Sequence, residues 1–121
     1  MTSPTVLDPQ VLEQLQQLEI ERPGLMKELI RLFVADAPKQ IRLIEGAYQR
    51  RDPELLRQSS HFLRSGSLAL GLNELAARAH RFEHMDLGDY GLAEADEGMR
   101  ALRSEVHRVL LALLKLLKEA G

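Results

Sequence analysis

No cysteine occurs among the 121 residues, and only 4% of them are aromatic. The first absence excludes disulfides, thiolate metal sites and cysteine nucleophiles, and it suits a reducing, cytoplasmic setting. The second means that a core must come from aliphatic stripes, which a chain 45% hydrophobic and rich in leucine and alanine can supply. Long apolar runs are missing as well. The most apolar stretch, Val109 to Leu117, is interrupted by Lys115 and flanked by Arg108 and Lys118, well short of the roughly 20 residues that cross a bilayer. Met1-Thr2-Ser3-Pro4-Thr5 has no basic region followed by an apolar one, so neither a signal peptide nor a membrane partner is expected. Finally, 16 basic and 18 acidic side chains give a net charge of -2 and a pI near 6.1, which argues against a dedicated nucleic-acid binder.

What is present is helical periodicity. Apolar residues recur three and four apart almost throughout, and strand-like alternation is sustained nowhere, so one all-α domain is expected over residues 1–121, with 1–7 disordered. Asp8 as cap and Pro9 in the first turn open a short helix that carries Val11, Leu12, Leu15 and Leu18 inward and ends before Arg22-Pro23-Gly24. A second helix begins near Pro23 and shows Leu25, Leu29, Leu32, Phe33, Ile41, Ile44 and Tyr48, with Pro38 expected to kink or split it. Asp52-Pro53 starts a third, with Leu55, Leu56, Ser59, Leu63, Gly66 and Leu70 on one face. Gly71 is placed to end it in the left-handed conformation. The fourth carries Leu72, Leu75, Ala76, Ala79 and Phe82 up to the break at Asp86-Leu87-Gly88-Asp89-Tyr90-Gly91. Its short link to the third implies an antiparallel hairpin. The last helix steps by three and four through Leu92, Ala95, Met99, Leu102, Val106, Val109, Leu113 and Leu116. A second row, Leu110, Leu114 and Leu117, leaves a homodimer contact open for a chain otherwise expected to be a monomer.

His61 lies in the run Ser60-His61-Phe62-Leu63-Arg64-Ser65-Gly66-Ser67. At about 100° per residue, it points away from Leu56, Ser59, Leu63, Gly66 and Leu70 and is expected to face solvent. Arg57, Gln58, Arg64, Ser65 and Leu68 fall on its side of the helix. Imidazole has an ordinary pKa of about 6.5 and is a nucleophile near neutral pH without a separate base. Arg64 offers a cation one turn away, Ser65 and Gly66 keep the neighbouring surface low, and Leu68 suits a docking contact. Such a group is well placed to exchange a phosphoryl unit with another protein.

Other clusters read differently. His80 and His84 have the spacing that puts two imidazoles on one metal, with Glu83 and Asp86 as further carboxylates, but the zinc-protease pattern is not met. Ser59, Ser60 and Ser67 form no nucleophile elbow, and Asp86 to Glu97 lacks the oxygen spacing of a calcium loop. Arg42, Arg50, Arg51, Arg57 and Arg64 precede a more acidic stretch, Glu83, Asp86, Asp89, Glu94, Asp96 and Glu97, which reads as two solvated faces.

From His61 onward the chain gives Leu63, Arg64, Gly66, Ser67, Gly71, Leu75, His80 and Glu83, and this resembles the signature of histidine-containing phosphotransfer (HPt) domains. In that family a histidine is followed by an aliphatic residue, a Lys or Arg, small residues, a helix-ending glycine, a leucine, and a Cys or His shortly before an acidic residue. Leu29 to Pro38 is similar to the family's helix ending in an acidic residue near proline, and the likeness extends from Pro23 to Leu117. Three positions depart from the usual pattern: Ser65 stands for glycine, Ser60 for alanine, and Arg64 for the commoner lysine, keeping the charge and gaining a bidentate fork.

The resemblance implies an antiparallel four-helix bundle with an additional short N-terminal helix. It also implies His61 as phosphoacceptor, Arg64 as stabiliser of phosphoryl charge, Arg57, Gln58, Ser65 and Leu68 in partner docking, Gly66, Ser67 and Gly71 in structural roles, and His80 packed against the core. The implied protein is a phosphoryl carrier without catalytic activity of its own, either a free-standing intermediate or the phosphoacceptor module of a larger histidine kinase. It exchanges with response-regulator receiver domains or a sensor histidine kinase, and has no metal or cofactor, the magnesium and most catalytic groups coming from the receiver. Two alternatives stay open: a docking module of the same fold that takes no phosphate, toward which Ser65 leans, and a metal-binding bundle that uses His80 and His84.

Overall fold

A computed structural model describes residues 7–119. Among them are five α-helices and no strand: α1 Pro9–Glu21, α2 Leu25–Arg50, α3 Pro53–Ala69, α4 Asn73–Glu83 and α5 Ala93–Glu119, with a 3-10 turn, Leu87–Asp89, before α5. The expected disorder of residues 1–7 falls mostly outside the described residues. Leu7, which is described, is buried against the core.

The helix starts follow from their caps. Asp8 accepts from the Gln10 amide at 2.8 Å and Asp52 from the Leu55 amide at 3.1 Å, each ahead of a proline whose missing N–H costs nothing in a first turn. α2 is capped from outside. Glu19 of α1 accepts from the amides of Gly24 and, at 3.2 Å, Met26, placing a carboxylate where the helix dipole favours negative charge. Pro38 does not split α2, which runs unbroken from Leu25 to Arg50. Phe33 and Ala37 before it and Ile41 and Ile44 after it are all buried, and this packing outweighs the backbone bond that proline removes.

α2 packs on α3 and α5, and α4 packs on the same two helices, so these four contact one another in a closed cycle. Leu56, Leu63, Leu75, Ala79, Leu102, Val109 and Leu113 fill the interior. Tyr48 of α2 stacks on Tyr90 and meets Phe82 edge-on, at centroid distances of 5.6 and 5.9 Å, while its hydroxyl donates to Asp96 at 2.6 Å. That hydrogen bond ties α5 to α2. Burial, then the bond to Asp96, pushes the Tyr48 hydroxyl above the usual tyrosine range. Several stripe residues expected inside are exposed: Leu18, Leu32, Leu92 and Leu116. For Leu116 the reason is phase: at about 100° per residue it turns about 60° from the buried Leu113, whereas Leu117 turns about 40° and packs against the core.

Three residues join α3 to α4, and Gly71 among them has φ +70°. Its carbonyl accepts from the Asp8 amide at 2.7 Å, and Asn73 donates to the Asp8 carboxylate at 2.8 Å, so α1 docks on this turn. A Cβ on Gly71 would lie 2.7 Å from Cβ of Val11. Gly71→Ala therefore meets both a left-handed backbone, which costs about 1–2 kcal/mol, and a steric overlap. Urea denaturation should show a loss of at least about 2 kcal/mol, and wild-type stability in this variant would refute the account.

Candidate functional site

α3 is oriented by what it buries. Leu56, Ser59, Ser60, Leu63, Ser67 and Leu70 are all inside, and the hydroxyls of Ser59 and Ser67 turn back to the carbonyls of Leu55 and Leu63 at 2.7 Å each. The Ser60 hydroxyl has no partner among the described residues, so the alanine more usual there would leave no polar atom unmatched. With that face inward, the His61 side chain points out and is 54% exposed.

The ring is not alone. Glu83, the last residue of α4, is only 8% exposed in its side chain, and its Oε2 lies 2.7 Å from Nδ1 of His61. Arg64 donates from Nε to Oε1 of the same carboxylate at 2.5 Å and from Nη2 to Oε2 at 3.4 Å. The bond to Arg64, aided by that to His61 and opposed by burial, holds the Glu83 carboxyl at about 2. The same pairing raises the Arg64 guanidinium above its already high value. At neutral pH Glu83 is thus an anion that only accepts, and the proton in the 2.7 Å contact belongs to Nδ1. Arg64 Nη2, 3.3 Å from that nitrogen, acts there as a neighbouring charge, because a protonated Nδ1 has no lone pair to offer. Nε2 is left with its lone pair on the half-exposed ring.

The other singled-out residues spread around this triad. Arg57 and Gln58 are exposed one turn earlier, and both bond to Glu54, at 2.5 and 3.0 Å. Leu68 is exposed two turns later. Ser65 and Gly66 line an apolar groove of about 380 Å³ between α2 and α3, walled by Leu29, Leu32, Phe33 and Phe62. A Cβ on Gly66 would touch the Phe33 ring at an ordinary 3.7 Å, so this glycine keeps the groove open and is not needed for close helix approach. His80 is not packed against the core as expected. The inward positions of α4 are taken by Leu75, Ala76, Ala79 and Phe82, and His80 stands exposed one residue past Ala79.

Two features went unread in the sequence. Glu83 was visible as the acidic residue of the HPt-like pattern, but its contact with His61 spans 22 positions and depends on the hairpin. Leu32 and Phe62 are exposed apolar walls of the groove that Ser65 and Gly66 line; for Leu32 a stripe on α2 too wide for one buried face is the trace in the sequence, and for Phe62 an apolar residue next to His61.

The depressed Glu83 pKa links the site to acid stability. Since the folded value lies near 2 and the ordinary value is 4.5, the contribution is complete above about pH 4.5 and is lost as pH falls toward 2. In urea titrations from pH 6 to 2, Glu83→Gln should flatten the acid dependence by on the order of 2 kcal/mol, and an unchanged slope would contradict the ion pair.

A search of curated proteins finds no match. Among solved structures, the fold is similar to the crystal structure of histidine-containing phosphotransfer protein B (HptB) from Pseudomonas aeruginosa PAO1, with a TM-score of 0.79 over 97% of this chain and 98% of that one, at 24% identity. The family model of the Hpt domain matches residues 28–116, a span that holds His61, Arg64 and Glu83, and the chain belongs to the Hpt domain family.

Proposed function

We propose that His61 is the phosphoacceptor of a phosphorelay and that it works through Nε2, taking a phosphoryl group from a receiver-domain phosphoaspartate or a sensor kinase and passing it to another receiver. The supporting observation is the half-exposed ring whose opposite nitrogen is held by a nearly buried, ionised carboxylate. The Nε2 lone pair forms the N–P bond as the P–O bond to the aspartate breaks. Nδ1 keeps its proton, and the positive charge that develops on the ring is balanced by Glu83. The reverse sequence delivers the group onward.

Glu83 is a positioning residue in this scheme. Arg64 lies on the Nδ1 side, and to meet phosphoryl oxygens on Nε2 its guanidinium swings from Glu83 toward the phosphate. Receiver docking falls to the surface around the ring. Arg57, Gln58 and Leu68 flank it along α3, and the Leu32–Phe62 groove with Ser65 lies on its α2 side. The protein is then a carrier with no cofactor of its own, and magnesium and the remaining catalytic groups belong to the receiver. An antiparallel four-helix bundle of α2 to α5, with α1 added at one end, fits the short connections and the closed cycle of contacts. A cytoplasmic monomer fits this role, and no helix among the described residues is long and apolar enough to cross a membrane.

Phosphoryl label from a phosphorylated receiver should appear on the chain as acid-labile, base-stable phosphate, and His61→Gln should abolish it with the helical circular dichroism intact. Label kept by that variant would move the site elsewhere, while a wild-type chain that binds receivers and takes no label would be a docking module. Arg64→Ala should slow transfer about tenfold or more while docking weakens less, with Arg64→Lys recovering part of the rate. Equal losses of rate and affinity would remove Arg64 from the chemistry.

A further inference from the structure

Glu83 has two histidines beside it on its own helix end. His80 precedes it by three residues and His84, the C-cap of α4, follows it by one. One ligand atom from each of the three lies within 4.8 Å of the others. The two rings meet edge to face with centroids 4.5 Å apart. Both are exposed, and neither side chain has a hydrogen bond or ion pair among the described residues. The imidazoles are thus free to turn, whereas Glu83 is already fixed from the α3 side by Arg64 and His61.

Two imidazoles and one carboxylate are a ligand set for a borderline divalent ion, zinc above all, with water in the fourth tetrahedral position. Metal–ligand bonds near 2.0 Å place neighbouring ligand atoms about 3.3 Å apart in a tetrahedron, so the cluster needs only side-chain rotation to close. Magnesium, which favours an octahedron of oxygens, does not suit this set.

We propose that His80, Glu83 and His84 form a zinc site and that the bound ion competes with His61 for the Glu83 carboxylate. The ion draws carboxylate electron density toward α4. The acceptor that holds the Nδ1 proton of His61 weakens, and the ring loses the partner that fixes its tautomer. Zinc occupancy then slows phosphoryl transfer, a consequence that rests on the relay reading of His61; binding itself does not.

Calorimetric titration of the metal-free full chain with zinc chloride should show one equivalent bound. His80→Ala and His84→Ala should each weaken it at least tenfold, while His107→Ala and His61→Gln retain it. Absence of binding, or equal loss in His107→Ala, would overturn the site. The competition is read without any partner from the 15N shifts of the His61 ring, which should move on zinc addition to the wild type and stay put in His84→Ala. A zinc-loaded wild type with an unmoved His61 ring would overturn the competition. In transfer assays zinc should slow the wild type severalfold, reversibly by chelator, and leave His84→Ala unaffected. A chain that takes no phosphate yet binds zinc and shifts His61 keeps the metal site and discards the relay.

Discussion

A carboxylate nearly shut off from water, with an arginine on one oxygen and a histidine on the other, is the contact around which this molecule is arranged. Removing such a group from water costs several kcal/mol. Charge-assisted bonds to Arg64 and His61 offset the cost, and only this geometry supplies both. Glu83 also sits at the C-terminus of a helix, where the dipole disfavours an anion, which makes the two partners from α3 more necessary still. The result is a polar clamp between α3 and α4 that orients the imidazole and keeps it protonated on one chosen nitrogen.

The clamp forms because the packing of both helices leaves no other phase. On α3, Leu56 and Leu63 go inward with three buried serines; on α4, Leu75, Ala79 and Phe82 do so. Rotating either helix by one residue, about 100°, would carry Glu83 or His61 out of reach. Axial level is set by the turn at Gly71. His61 lies ten residues before that glycine and Glu83 twelve after it, so in the proposed antiparallel hairpin they stand about 15 Å and about 18 Å along their helices. The docking of Asp8 and Val11 on the same turn holds that level, which is how a helix remote from the histidine contributes to the site.

Most of the helices could be read from the chain because their signals are local. Asp8-Pro9 and Asp52-Pro53 are cap and first-turn pairs, Gly71 is a left-handed stop, and the three- and four-residue steps give each inward face. The outward direction of His61 followed from the same periodicity. What periodicity does not carry is depth and partnership. Leu116 continues the three- and four-residue steps past the buried Leu113 yet stays exposed, while Leu117 takes the place against the core, and Pro38 violates a local preference that buried neighbours override. His80 was placed against the core by resemblance, although the rotation of α4 leaves it outside. The Glu83 contact needed the hairpin as well as the helix phases, since nothing local to either residue announces it.

The clamp also bears on how strongly a phosphoryl group would be held in the proposed relay. Phosphate on Nε2 adds negative charge on the far side of the ring from Glu83, at a separation of roughly 6 Å, where two unit charges repel by about 3 kcal/mol at an effective dielectric near 20. The positive charge of the phosphorylated ring lies between them and cancels part of this, and Arg64 can neutralise either anion but not both with the same donors. A guanidinium that moves to the phosphate leaves Glu83 to the ring alone, and one that stays leaves the phosphate to its partner. Both arrangements are compromised. In the proposed relay that balance would keep the phosphorylated imidazole from becoming a sink, which is what a carrier that must give up its cargo requires.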